Sequence, residues 1–88
     1  MSGTARHLRK RSFRLAGHRT SVALEPAFWA ALEAISAQRG SSLAALVAEV
    51  DAARTDITIP LASALRVAAL DAARDGELTR RLDTTPSG

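Results

Sequence analysis

A short stretch near the start of the chain, HRTSVALEP, alternates apolar and polar side chains with the period of a β-strand. Successive side chains of a strand point to opposite faces. The pattern therefore predicts an inner face of Thr20, Val22 and Leu24 and an outer face of Arg19, Ser21 and Ala23. A lone strand leaves its backbone donors and acceptors unpaired, so the pattern also requires a pairing partner.

Three arrangements of this strand are compatible with the sequence. The preceding residues also alternate, and Gly17 with His18 would form the two-residue turn of a hairpin within the chain. Gly17 would otherwise mark a bulge or a bend in one longer strand. The third arrangement, which we favour, pairs the strand with its copy in a second chain, because a single strand or hairpin is marginal in water. Two antiparallel copies would form a ribbon around a two-fold axis.

The residues after the strand have the period of amphipathic helices. Pro26 suits the first turn of a first helix, and Gly40 suits the left-handed cap at its end. Ser42 is the preferred N-cap of a second helix, with Ser41 as the alternative. The apolar positions of both helices and the inner face of the strand predict a dimer core of Thr20, Val22, Leu24, Phe28, Trp29, Leu32, Ile35, Leu46, Val47 and Val50.

A third helix is expected to begin at Pro60 and to end at Asp75 and Gly76. Leu61, Leu65 and Ala68 would lie on one face of this helix, with Val67 and Leu70 beside it. The predicted fold is mainly α with one N-terminal β-strand. It divides the chain into a flexible basic arm (1–12), a folded domain (13–74) and a frayed tail (75–88).

Charge is unevenly distributed along the chain. The first 24 residues contain six basic side chains and no acidic one, whereas the rest contain six arginines against nine acidic residues. A basic segment of this kind binds polyanions, because each neutralised phosphate releases condensed counterions. A solvated terminus without a ligand is the alternative interpretation of the same charges.

Several classes of protein are disfavoured by the residues present. The chain has no cysteine and two histidines, and it shows no catalytic triad, carboxylate pair or glycine-rich phosphate loop. We therefore expect no enzyme activity, no metal and no cofactor. No apolar run approaches the ~20 residues of a membrane span, and no signal peptide is recognisable. The expected location is the cytoplasm.

The order of strand, helix, tight glycine turn and helix resembles the ribbon-helix-helix (MetJ/Arc-type) superfamily. The resemblance rests on the motifs GHRTSV, LEPAFW, RG and SALR at their observed spacing, and it covers the chain from Arg11 to Leu70. More specifically, the chain resembles short bacterial ribbon-helix-helix domain proteins that carry an extra C-terminal helix.

The resemblance implies an intertwined homodimer whose antiparallel ribbon enters the major groove of double-stranded DNA. The outer strand residues Arg19, Ser21 and Ala23 would then contact base edges, and the start of the second helix, at Ser41 and Ser42, would contact a phosphate. The basic arm would add phosphate contacts from Arg9, Lys10 and Arg11, and Arg14 just after it would add another. Ala23 departs from the usual polar residue at its position, and it offers only a methyl contact with thymine.

The leading interpretation is a DNA-binding transcriptional regulator. The alternative is an antitoxin-like or other protein-interaction module that uses the same dimer fold, with a protein partner on the third helix. A steep dependence of affinity on salt would favour the first interpretation.

Overall fold

The computed structural model describes residues 7–83 of the 88-residue chain, and side-chain surroundings through residue 76. Residues 1–6 of the predicted arm and 84–88 of the predicted tail lie outside the described residues. The elements in chain order are β1 (Arg9–Leu15), β2 (His18–Leu24), α1 (Pro26–Gln38), α2 (Leu43–Ala53) and α3 (Leu61–Asp83). The predicted class, mainly helical with a two-stranded antiparallel ribbon, is confirmed.

The ribbon is a hairpin within one chain. β1 and β2 pair in antiparallel register, with Leu15 opposite His18. The turn consists of Ala16 (φ 52°) and Gly17 (φ 84°), and positive φ at both central residues is what a type I′ hairpin turn requires. The pairing with β1 occupies one edge of β2, and the favoured pairing of β2 with its copy in a second chain stays a prediction. A two-residue turn whose twist matches the strands supplies β2 with a partner from its own chain.

Two predicted boundaries differ from the structure. Residues 9–12, expected in the basic arm, belong to β1. The third helix does not end at Asp75 and Gly76 but continues to Asp83. A glycine inside a helix costs only about 1 kcal/mol relative to alanine, so glycine alone does not end a helix. A glycine that ends a helix typically adopts the left-handed conformation. Gly40 adopts that conformation (φ 69°) beyond α1, and Gly76 does not.

The core lies between the inner face of the hairpin and the three helices. Its buried apolar residues are Leu15, Val22, Leu24, Trp29, Leu32, Leu46, Val47, Leu61, Leu65 and Ala69. Six positions predicted for a dimer core therefore lie in the core of a single chain. Phe28, Ile35 and Val50 pack against it, and Thr20 is half-buried. In α3, Leu61, Leu65 and Ala69 are buried, and Ala68 is half-buried.

Two polar contacts fix the hairpin and α3 relative to α1. The Trp29 indole Nε1 donates to the carbonyl oxygen of Arg9 at 2.8 Å, which joins α1 to β1. Arg66 of α3 donates to both carboxylate oxygens of Glu25, at 3.0 and 3.2 Å. Since Glu25 immediately precedes α1, this ion pair ties α3 to the junction between the ribbon and the first helix.

Candidate nucleic-acid interface

The face of the hairpin that points away from the helices is formed by alternate residues of both strands. The antiparallel register sets Lys10 opposite Ala23, Ser12 opposite Ser21, and Arg14 opposite Arg19. Ala23 is half-buried, and the other five residues are exposed. We call these six residues the ribbon face. The outward orientation predicted for Arg19, Ser21 and Ala23 is confirmed.

Two serines join the strands at the middle of the ribbon face. The Oγ atoms of Ser12 and Ser21 lie 3.1 Å apart, and either can donate. Each hydroxyl has one proton and two lone pairs. After their mutual hydrogen bond, the pair retains one donor and several acceptor sites for a ligand. Ser12 was missed by the sequence analysis, because its role depends on lying opposite Ser21.

The ribbon face carries three cations that are not compensated within the described residues. Lys10, Arg14 and Arg19 take no part in the ion pairs found between residues 7 and 76. Arg14 and Arg19 also face each other directly, and like charges directly opposite each other destabilise a sheet. The ribbon face therefore carries a local excess of positive charge.

Arg11 lies on the opposite side of the same strand. Its guanidinium donates to Glu33 of α1 at 2.7 Å and lies 5.1 Å from the centre of the Trp29 ring. Arg9 also belongs to this inner row, although its side chain is exposed at the strand end. Of the four predicted phosphate contacts in this segment, Lys10 and Arg14 thus join the ribbon face, whereas Arg9 and Arg11 do not.

The two serines at the start of α2 form hydrogen bonds within the turn between α1 and α2. The Ser42 Oγ accepts a hydrogen bond from the Ala45 amide at 3.0 Å, so the predicted N-cap is confirmed. The Ser41 amide donates to the Ser36 carbonyl at 2.8 Å. No contact described for residues 7–76 joins either serine to the ribbon face.

The described part of the chain shows neither a metal-binding cluster nor a membrane-spanning helix. Residues 7–76 contain no group of three His, Cys, Asp or Glu side chains arranged to hold a metal ion. Among the described helices, none has the length and apolar character needed to cross a membrane.

The chain belongs to the ribbon-helix-helix family. The family model described as a ribbon-helix-helix domain matches residues 8–73, which include both strands, α1, α2 and the first half of α3. No curated protein and no solved structure matches the chain.

Proposed function

We propose that the ribbon face binds double-stranded DNA in the major groove and that the protein is a transcriptional regulator. The observation that carries the proposal is the set of three uncompensated cations on one exposed face of a two-stranded ribbon. A ribbon of two strands fits the major groove, which is about 12 Å wide. Membership of the ribbon-helix-helix family supports the same ligand. A DNA ligand also agrees with the cytoplasmic location expected from the sequence.

Each part of the ribbon face has a distinct role in the proposal. Arg14 and Arg19 lie next to the turn, and a guanidinium can donate two hydrogen bonds to O6 and N7 of guanine. Ser21 offers a hydroxyl to a base edge, and Ala23 offers a methyl contact to thymine. Lys10, at the open end of the hairpin, supplies a point charge to a phosphate.

The first turn of α2 is a proposed phosphate contact outside the ribbon. Helix N-termini present free amides and the positive end of the helix dipole to anions. Ser41 and Ser42 lie at this position, and such a contact would orient the ribbon without reading sequence. Arg9 remains a candidate phosphate contact because its side chain is exposed. Arg11 does not, because Glu33 already neutralises it.

Homodimerisation is a further part of the proposal, since ribbon-helix-helix proteins typically bind DNA as dimers. β1 pairs with only one edge of β2, and we place the main contact between copies on the apolar surface formed by α3 and the loop before it. Side chains there are unusually exposed for their type: Ile57 by 83%, Ile59 by 44%, Val67 by 55% and Leu70 by 55%.

Sedimentation equilibrium of wild type and of a Val67→Asp, Leu70→Asp variant tests this contact. The proposal predicts a dimer for wild type and a monomer for the variant. A wild-type monomer would contradict it and would favour the second candidate function, a protein-interaction module that uses the same surface. That surface includes an open cleft of about 500 Å³ lined in part by Val50, Ile59 and Val67.

DNA binding itself is tested by fluorescence anisotropy with a labelled duplex of mixed sequence at several salt concentrations. The logarithm of the affinity should fall linearly with the logarithm of salt concentration. Arg19→Ala should weaken binding, whereas Arg74→Ala should not, since Arg74 is exposed on α3 and its loss changes the net charge equally. Absence of duplex binding at low salt would overturn the proposal.

A further inference from the structure

We propose that Ser12 is a phosphorylation site and that a phosphate on it switches off DNA binding by the ribbon face. The proposal rests on the proposed function and adds a regulatory modification of the same site. Ser12 is exposed at the middle of the ribbon face, in the segment RKRSF of β1. Its hydroxyl is therefore accessible to a modifying enzyme when no DNA is bound.

The residues around Ser12 suit a serine kinase whose peptide-binding groove is acidic. Arg9, Lys10 and Arg11 precede Ser12, and no other serine of the chain follows three successive basic residues. Complementary charge between a groove and its peptide selects the partner and steers its approach. Arg11 is free to take part, because its ion pair with Glu33 is exposed and an exposed pair is worth little.

The Ser12 hydroxyl has the hydrogen bonding that a nucleophile needs. Its Oγ lies 3.1 Å from the Ser21 Oγ, and either can donate. When Ser21 donates, the Ser12 proton is free to pass to a base of the kinase. The Ser12 Oγ then bonds to the γ-phosphorus of a nucleoside triphosphate, the bond from that phosphorus to the bridging oxygen breaks, and the nucleoside diphosphate leaves.

A phosphate on Ser12 would lie among the three uncompensated cations of the ribbon face. Lys10 and Arg14 are each two residues from Ser12 on the same face of β1, a distance of about 7 Å. Arg19 is its diagonal neighbour on β2, at about 7–8 Å. These long side chains can reach a phosphoserine, which carries a charge of about −1.5 to −2 and three acceptor oxygens. The cations would then bind this internal phosphate instead of the phosphates and bases of DNA.

The modification should have opposite effects on stability and on DNA affinity. The new anion offsets the repulsion between Arg14 and Arg19, which stabilises the hairpin. It also occupies two of the three cations, and the loss of two charge-assisted contacts, at roughly tenfold each, lowers affinity about a hundredfold. A disturbance of the fold at Ser12 would instead lower stability and affinity together.

Phosphorylation of the folded full chain tests the site. The chain is incubated with magnesium ATP and a serine kinase that prefers arginine before the serine, and its peptides are analysed by mass spectrometry. We expect one phosphoryl group, on Ser12, and none on the Ser12→Ala variant. By fluorescence anisotropy, the purified phosphorylated chain should bind duplex DNA about a hundredfold more weakly than the unmodified chain. Its midpoint of urea denaturation should be higher.

A matched pair of variants tests the switch without a kinase. The side chains of Ser12→Asp and Ser12→Asn have nearly the same shape and differ by one charge. Ser12→Asp should bind the duplex about tenfold more weakly than Ser12→Asn, and it should unfold at a higher urea concentration.

The possible failures are distinguishable. A chain that stays unmodified, or that carries the phosphate on another residue, would overturn the site. Equal duplex affinity of the phosphorylated and unmodified chains, or a lower urea midpoint after phosphorylation, would overturn the switch. Failure of the unmodified wild type to bind any duplex at low salt would contradict the proposed function itself.

Discussion

Arg14 and Arg19 lie directly opposite each other on the exposed face of the hairpin, and neither forms an ion pair with a residue between positions 7 and 76. Such a pair destabilises the free protein slightly. It becomes favourable when a polyanion lies over both guanidinium groups. Two arginines at these positions therefore lower the stability of the free protein but favour DNA binding.

Replacing one arginine by an acidic residue should change stability and DNA affinity in opposite directions. Arg14→Glu places opposite charges across the strands, which should raise the free energy of unfolding by about 0.2–1 kcal/mol. The same change should lower DNA affinity, because it removes one cation from the ribbon face and adds an anion. Urea denaturation followed by the fluorescence of the single tryptophan measures stability, and anisotropy measures affinity.

Arg74→Glu is the matched control for this experiment. It changes the charge equally on the exposed surface of α3, and it should leave DNA affinity close to that of wild type. Equal loss of affinity in the two variants would assign binding to net charge rather than to the ribbon face.

The turn offers a test of the hairpin. Ala16 adopts positive φ, a conformation that costs a residue with a Cβ roughly 1–2 kcal/mol and that asparagine tolerates. Ala16→Asn should therefore raise the free energy of unfolding by about 1 kcal/mol. Gly17→Ala should lower it, although nothing lies within 4 Å of the added Cβ, because its φ is +84°. Urea denaturation that shows no change in either variant would refute the turn at these positions.

Trp29 should be important to the attachment of β1. Trp29→Phe removes the Nε1 hydrogen bond and leaves the Arg9 carbonyl without that donor. Loss of one hydrogen bond typically costs about 0.5–1.5 kcal/mol, so the thermal midpoint, followed by circular dichroism, should fall. Phe13→Leu, which loses only a ring contact at 5.8 Å, should have a smaller effect. The reverse order would contradict this role of the indole.

The ion pair between Glu25 and Arg66 should make stability depend on pH. The hydrogen bonds from Arg66, followed by one from the Glu25 backbone, hold the pKa of Glu25 below its ordinary value of 4.5. A lowered pKa in the folded state stabilises the protein above the pKa of the unfolded state. That stabilisation is lost as pH falls through the folded pKa.

Comparison with Glu25→Gln isolates this contribution. The wild type should be more stable than the variant near neutral pH, and the difference in free energy of unfolding should shrink on acidification to about pH 3. Hydrogen bonds from Thr58 also lower the pKa of Asp56, but that effect is present in both proteins and cancels. A difference that stays constant or grows as pH falls would contradict the prediction.

Hydrophobic alternation was sufficient to predict the orientation of β2. Val22 and Leu24 had to face the core, and this fixed Arg19 and Ser21 on the outside. The position of the turn is harder to predict from the sequence. Alanine at positive φ is uncommon, so the sequence favours a turn at Gly17 and His18. Moving the turn by one residue changes the residue opposite each strand position by two places along the partner strand. Because side chains alternate with a period of two, each residue stays on the same face of the ribbon.

The assignment of β1 required information that alternation does not contain. Arg11 lies on the inner face of that strand, where an apolar residue would be expected from periodicity. Its charge is accommodated by Glu33, 22 residues further along the chain, and by the Trp29 ring. Because a hydrophobic pattern does not show such long-range partners, it predicts an arm for Arg9, Lys10 and Arg11.

The account depends most on the claim that the ribbon face of one chain contacts duplex DNA. Amide NMR spectra of the labelled chain, recorded while a duplex is added, test it directly. We predict shifts for Lys10, Ser12, Arg14, Arg19, Ser21 and Ala23, with the amides of Val67 and Leu70 in α3 unchanged. Shifts confined to α3 and its preceding loop, or no shifts at low salt, would contradict it.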